Sequence, residues 1–156
     1  MSGKTIISLG NDILGDDGVA LRAGDIISEK TGIPHTKTNS FGFEIIEAIS
    51  GYDEVYIIDA VVVENGKIGE LYEYNFNDFN KYLHLSSPHT FNLPTALKMV
   101  ELYGQLPKII KIYGINIENK LEFSEEFSEG IKNKIDEITE KIIKNIEELK
   151  NSCLEI

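Results

Sequence analysis

Short apolar runs separated by amphipathic stretches organise the whole chain. Runs of about four to eight residues that are rich in β-branched side chains are typical of buried strands. One alternating run follows the pair Asn65-Gly66, a tight-turn signal, and therefore predicts an antiparallel edge strand. The expected strands are residues 5–9, 35–39, 54–60, 68–75 and 108–113.

Apolar positions three or four residues apart predict the helices between these strands. Asp16 or Asp17 is placed to cap the first helix, and Ser124 is placed to cap the last. Gly32 follows the first helix, where glycine commonly ends helices. The expected helices are residues 18–30, 43–49, 93–103 and 125–150.

The alternation of strands and helices predicts an α/β fold. We expect a three-layer α/β/α sandwich around a mostly parallel, mixed sheet of five strands. Residues 1–156 are expected to form a single domain, because a chain of this length fits one core. Ligands of such sheets bind beyond the carboxyl ends of the strands. A site is therefore expected in the loops after Leu9 and Ile58 and in the segment before Leu93.

Composition narrows the classes of protein that need to be considered. Hydrophobic residues make up 42% and charged residues 26%, as in ordinary globular proteins. No apolar run approaches the roughly 20 residues of a membrane helix, and the apolar start is too short for a signal peptide. A cytoplasmic location is therefore expected. A net charge of −11 with scattered lysines makes nucleic acids and anionic membranes poor partners. Cys153, the single cysteine, is interpreted as an incidental thiol.

Three side chains in the expected loops form the candidate site. Asp17 opens the first helix, Asp59 ends an apolar strand, and His89 follows Pro88 in the segment before the third helix. A carboxylate at the rim of an apolar strand is costly to desolvate unless it is paired or binds a cation. Two carboxylates and one imidazole suit a divalent first-row metal ion.

Each of these residues also has a structural interpretation. Asp17 can cap a helix, and Asp59 can cap the following loop or pair with a lysine. A lone histidine such as His89 is more often structural or exposed than a ligand, and the spacing alone does not show that the three residues converge. His35 and His84 are interpreted as non-catalytic.

Other kinds of site fit the sequence less well. The segment 10–18 mimics a dinucleotide-binding loop, but it lacks G-x-G-x-x-G, and its three aspartates would repel a pyrophosphate. Ser86 and Ser87 lie near His89 without the G-x-S-x-G turn of serine hydrolases. No serine or cysteine nucleophile is evident.

Several segments together resemble the hydrogenase maturation endopeptidases. Residues 10–18 (GNDILGDDG) are similar to the first-loop signature of that family, G-N-x-L-x-x-D-[DE]-G. The order and spacing of the similar segments agree over residues 5–150, nearly the whole chain. The remaining segments are residues 42–46 (GFEII), 58–60 (IDA), 87–89 (SPH) and 93–97 (LPTAL).

This resemblance implies a specific activity. The family removes a short C-terminal peptide from the nickel-loaded large-subunit precursor of a nickel-iron hydrogenase. Its metal-binding residues correspond to Asp17, Asp59 and His89, and the nickel arrives with the substrate and is not held permanently. Direct attack by water is favoured. Asp16 is expected to support the site or cap the helix, and Gly42 to allow close approach of the substrate.

The resemblance leaves the particular substrate open. Residues 114–117 (GINI) lack the proline that relatives often carry in a Gly-[Ile/Val]-x-Pro segment. Specificity is expected in the loops at residues 61–67, 76–86 and 115–123, and the free enzyme is expected to be a monomer. The alternative is an escort or chaperone of the large subunit that senses nickel through the same three residues without cutting.

Overall fold

The computed structural model describes residues 3–39, 43–75, 98–102, 104, 106–118, 120 and 122–154. Five strands form one sheet in the order β2-β1-β3-β5-β4. Neighbouring strands are parallel except for β4, which is antiparallel to β5. The strands are β1 (Lys4–Leu9), β2 (His35–Thr38), β3 (Glu54–Val61), β4 (Leu71–Asn75) and β5 (Ile109–Asn116).

Helices connect these strands and cover the sheet. A 3-10 turn at Gly15–Gly18 precedes the first helix, and Gly32 ends that helix in a left-handed conformation, its N–H donating to the Ser28 carbonyl. The helices are α1 (Val19–Thr31), α2 (Phe43–Ile49), α3 (residues 98–102), α4 (Glu129–Lys132) and α5 (Ile135–Leu154).

Two apolar clusters lie on opposite faces of the sheet. On one face, side chains of β1, β3 and β5 pack against α1 and α5, with Tyr56 and Ile142 fully buried. On the other face, Leu9 and Ile57 pack against Ile49 of α2 and against α3. Burial on both faces explains why the central strands read as nearly continuous apolar runs. The predicted α/β fold with a mixed, mostly parallel five-stranded sheet is confirmed.

The predicted caps of the first and last helices are wrong, although the first helix itself starts within one residue of the predicted position. Neither Asp16 nor Asp17 caps α1, because the 3-10 turn places Gly18 at the cap position, and no side-chain capping bond forms there. The last helical region begins at Glu129 after Ser128, and not after Ser124. The physical reason is a pairing with the first loop. The Ser124 N–H donates to the Ile13 carbonyl (2.9 Å), and the Ser124 carbonyl accepts from Gly15 N–H (2.7 Å).

Candidate functional site

Asp59 lies inside β3, two residues before the strand ends at Val61. The sequence predicted Asp59 at the end of this apolar strand. Asp59 is fully buried. Its register neighbours are Leu9, the last residue of β1, and Gly114 of β5. Since side chains alternate along a strand, Asp59 shares the face of Ile57 and Val61, which is the face covered by α2 and α3. Gly114 contributes no side chain to that face.

Asp17 is held against the end of β1 by its own loop. The loop turns back after Leu9, and its 3-10 turn contacts β3. The backbone N–H of Asn11 donates to Asp17 Oδ2 (2.9 Å), and only 2% of Asp17 is exposed. A Cβ atom on Gly10 would overlap the carbonyl oxygen of Asp17, so only glycine allows this close approach. The structure therefore places Asp17 and Asp59 at the same carboxyl edge of the sheet.

Asp16 has a different task from its neighbour. Its carboxylate accepts a hydrogen bond from the Ser128 N–H (2.8 Å) and another from the Ser128 hydroxyl (2.7 Å). Ser128 is the cap residue of α4, so Asp16 fastens the first loop to the start of the last helical region. Sequence reasoning missed this contact, because the two residues are 112 positions apart and neither carries a local signal for the other.

Three of the predicted positions, His89, Gly42 and His84, lie outside the described residues. The predicted roles of His89 as a ligand and of Gly42 as a point of close approach therefore stay predictions. The chain does lead from the segment that contains His89 into α3. That helix covers the same face of the sheet as Asp59.

His35 of β2 lies away from this edge, where its side chain contacts β1 and α1. Its Nε2 is 2.5 Å from Ser8 Oγ of β1, and its Nδ1 is 3.2 Å from Asp25 Oδ1 of α1. Lys37 Nζ also reaches Asp25, at 2.6 Å. Burial lowers the pKa of His35, although the Asp25 carboxylate partly opposes this effect. Ser8 is fully buried, so the Ser-His-Asp arrangement is closed to a substrate and is structural.

The chemistry of the described donors suits a divalent first-row metal. Two buried carboxylates offer negatively charged oxygen ligands at one edge of the sheet. Among the residues that the structure describes, no three Asp, Glu, His or Cys side chains form a group that could hold a metal ion. Asp17 and Asp59 would therefore need donors from elsewhere, such as His89 or ligands that a substrate brings with it.

Comparison with known families decides the classification of the chain. The model of the HycI family, described as hydrogenase maturation protease, matches residues 40–145, which is 106 of the 156 residues. The chain belongs to this hydrogenase maturation protease family. The matched region of the family includes Asp59 and His89 and begins after the loop that contains Asp17.

Solved structures of hydrogenase maturation proteases have the same fold. The [NiFe] hydrogenase maturation protease HybD from Thermococcus kodakarensis superposes with a TM-score of 0.78 at 24% identity, over 91% of this chain and 97% of that one. The hydrogenase maturating endopeptidase HybD from E. coli gives a TM-score of 0.79 at 18% identity, over 94% of this chain and 93% of that one. These likenesses confirm the three-layer architecture.

A curated relative gives a shorter match with higher identity. Protein HydD of Wolinella succinogenes is 35% identical over 92 residues, which are 55% of this chain and 57% of that protein. The chain thus matches little more than half of the length of this relative. None of the helices that the structure describes in this chain is both long enough and apolar enough to cross a membrane.

Proposed function

We propose that the chain is an endopeptidase that removes the C-terminal extension from the nickel-loaded large-subunit precursor of a nickel-iron hydrogenase. The proposal rests on membership of the hydrogenase maturation protease family, together with the placement of Asp17 and Asp59. The site observation that carries it is the burial of both carboxylates at one carboxyl edge of the sheet. Ligands of open α/β sheets bind at this edge.

The proposed roles of Asp17 and Asp59 follow from where their side chains lie. Asp17 and Asp59 would bind the nickel that the precursor presents, and His89 is proposed as the third ligand. A metal held by these residues would supply recognition of a loaded precursor and, as a Lewis acid, could polarise a carbonyl oxygen. The Asn11 N–H fixes the direction of the Asp17 carboxylate, because it already donates to Oδ2.

Intact-mass spectrometry of the precursor tests this function directly. A nickel-loaded large-subunit precursor is incubated with and without the protein, and the same precursor without nickel is the control. We expect the loss of one C-terminal peptide in the nickel-loaded sample only. Loss of mass from both samples would contradict nickel-dependent recognition.

The same experiment separates the protease from an escort. An escort would bind the nickel-loaded precursor and leave its mass unchanged. Complex formation on a sizing column, with intact mass measured on the complex, distinguishes binding without cleavage from the absence of both. The escort has no structural observation that favours it over the protease.

Substitution of the proposed ligands gives a sharper test. Asp17→Asn, Asp59→Asn and His89→Ala should each slow precursor cleavage at least ~100-fold. Loss of a residue that merely orients a metal ligand already costs about 10–100-fold, and these residues are proposed to be the ligands themselves. The rate of peptide release by mass spectrometry is the measurement.

The carboxylate of Asp53, next to the start of the strand that contains Asp59, provides a matched control. Asp53 precedes β3 at the opposite, amino edge of the sheet, where its carboxylate lies 3.8 Å from Lys108 Nζ. Asp53→Asn should cleave the precursor at the wild-type rate. Circular dichroism should show the same helix and strand content in all four variants. Cleavage at the wild-type rate by the Asp59→Asn variant would contradict the proposed role of Asp59 as a metal ligand.

A further inference from the structure

Asn116, the last residue of β5, is a buried amide on the same face of the sheet as Asp59. Only 2% of Asn116 is exposed. The strand register pairs Asn116 with Val61, and it pairs Gly114 with Asp59. Since side chains alternate along a strand, Asn116 and Asp59 both leave the sheet on the face of the cluster that contains Val61. Asn116 therefore lies just beyond Asp59 at the carboxyl edge of the sheet.

Both polar ends of the Asn116 side chain bind the loop between β3 and β4, residues 62–70, which we name the 62–70 loop. Asn116 Oδ1 accepts a hydrogen bond from the Val63 N–H (2.9 Å), and Nδ2 donates to the Lys67 carbonyl (2.8 Å). We call these two hydrogen bonds the Asn116 clamp. Because one amide binds two points of the loop, it fixes the distance between them.

The main chain supports the same arrangement. The Gly69 N–H donates to the Asn116 carbonyl (2.7 Å), and the Asn116 N–H donates to the Glu70 carbonyl (2.9 Å). Gly66 lies so close to the amide that a Cβ atom there would be 2.6 Å from Asn116 Nδ2. Any larger residue at position 66 would therefore displace the amide or the loop.

The 62–70 loop also packs on the face of the sheet that holds Asp59. The partly buried side chain of Val63 packs against the cluster that contains Ile57 and Val61. The backbone of Val63 is held in this position by its hydrogen bond to Asn116. The loop and Asp59 are therefore connected through packing on one face, and not only through chain order.

We propose that Asn116 is a positioning residue, which holds the 62–70 loop in one conformation as a preformed border of the proposed site around Asp59. The inference rests on the proposed function and deepens it, because it assigns the residue that prepares the site for the precursor. Asn116 acts through the loop and does not touch the reacting atoms.

The physical chemistry of a buried amide favours this role. Loop conformations that break the Asn116 clamp leave buried polar atoms without partners, which is unfavourable. A loop that is already ordered loses little further conformational freedom when a large substrate binds against it. If only a fraction of the molecules held the loop in this conformation, the apparent affinity for the precursor would fall by that fraction.

Steady-state kinetics on the nickel-loaded precursor test the role of Asn116. Asn116→Ala removes both hydrogen bonds of the clamp. We expect KM to rise about ten-fold with an unchanged kcat, because binding of the precursor then has to order the loop while the reacting atoms are untouched. Hydrogen exchange measured by NMR on the free protein reports the loop directly. The Val63 amide should exchange at least ~10-fold faster in Asn116→Ala. Unchanged exchange at Val63 would overturn the inference.

Gly66→Ala tests the same contact from the side of the loop and keeps Asn116 in place. The added Cβ overlaps Asn116 Nδ2, so KM should rise here as well. In the Asn116→Ala background the overlap is absent, and Gly66→Ala should have little further effect. This variant decides the question even if Asn116→Ala does not fold, because an unchanged KM in Gly66→Ala would overturn the inference.

Asn145→Ala is the matched control. Asn145 of α5 is also a hydrogen-bonded amide, which accepts from the Tyr113 hydroxyl and donates to Glu73 (3.2 Å). However, α5 packs on the opposite face of the sheet from Asp59. Its substitution should leave KM unchanged. An equal rise in KM for Asn145→Ala and Asn116→Ala would show that Asn116 has no special relation to the site.

A binding measurement separates failure of this inference from failure of the protease function. Biolayer interferometry gives the dissociation constant of the nickel-loaded precursor for the wild type and for Asn116→Ala. Weaker binding to Asn116→Ala, with no mass loss in the precursor with either protein, would support the inference and overturn the protease. Cleavage with an unchanged KM in Asn116→Ala would overturn the inference alone, and absence of both binding and cleavage by the wild type would overturn both.

Discussion

Gly10 determines how closely the loop that carries Asp17 can approach the end of β1. A side chain at this position would overlap the Asp17 carbonyl oxygen, and that oxygen belongs to the backbone, which cannot rotate away. Gly10→Ala should therefore move the loop, cost about 1–3 kcal/mol of folding free energy, and slow cleavage at least about ten-fold. Urea unfolding and the cleavage assay measure the two effects.

Gly104→Ala serves as the control for this residue. Gly104 has no positive φ angle, and its nearest contact to an added Cβ would be an ordinary one of 3.8 Å. It should unfold and cleave as the wild type does. A Gly10→Ala protein with wild-type stability and cleavage would show that the loop position does not matter for the site.

The residues of the candidate site differ in how well the sequence predicts them. Asp17 and Asp59 follow from a general rule, since both come after apolar runs that end at one edge of a parallel sheet. The hydrogen bonds between Asp16 and Ser128 do not follow from any local pattern, because they join positions 112 residues apart. The position of Gly114 beside Asp59 follows only from the strand register, which the sequence alone does not give.

At the scale of elements, the start of the last helical region shows where local reasoning fails. Ser124 followed by two glutamates is a good cap signal, but its backbone N–H and carbonyl are already paired with the first loop. Residues 122–127 therefore stay outside any helix, and α4 starts at Glu129. Long-range pairing overrides a local preference that is worth only about 1 kcal/mol.

His35 joins three elements, and its titration should make their packing pH-dependent. In the neutral ring, Nδ1–H donates to the Asp25 carboxylate of α1 and Nε2 accepts from the Ser8 hydroxyl of β1. Lys37 is the other charged group that faces this pair. Burial holds the folded-state pKa of His35 below the ordinary value of 6.5, so the unfolded chain binds this proton first as the pH falls.

The expected result is a loss of stability on the acid side of neutrality. Above the ordinary pKa of 6.5 this histidine contributes no pH dependence. Between that value and the lowered folded-state pKa, the free energy of unfolding should fall by at most ~1.4 kcal/mol per pH unit, as for one proton. His35→Gln should remove this slope in urea unfolding at a series of pH values. An unchanged slope in His35→Gln would assign the effect to other groups.

The two apolar clusters lie on different faces of the sheet, and only one of these faces holds Asp59. Ile142 of α5 belongs to the cluster shared with α1, whereas Ile49 of α2 belongs to the cluster on the face of Asp59. Both isoleucines are fully buried. Substitution at either position should therefore cost stability, but only Ile49 packs on the face that holds Asp59.

Ile142→Ala and Ile49→Ala form a matched pair that tests this division. Each should lower the free energy of unfolding by about 2–5 kcal/mol, since each leaves a cavity in a packed core. At a temperature where both variants remain folded, Ile142→Ala should cleave the precursor at the wild-type rate. Ile49→Ala should cleave several-fold more slowly, because a shift of α2 is transmitted to the face that Asp59 shares with Ile57 and Val61. Equal cleavage rates in the two variants would mean that the packing of α2 on the face of Asp59 does not affect cleavage.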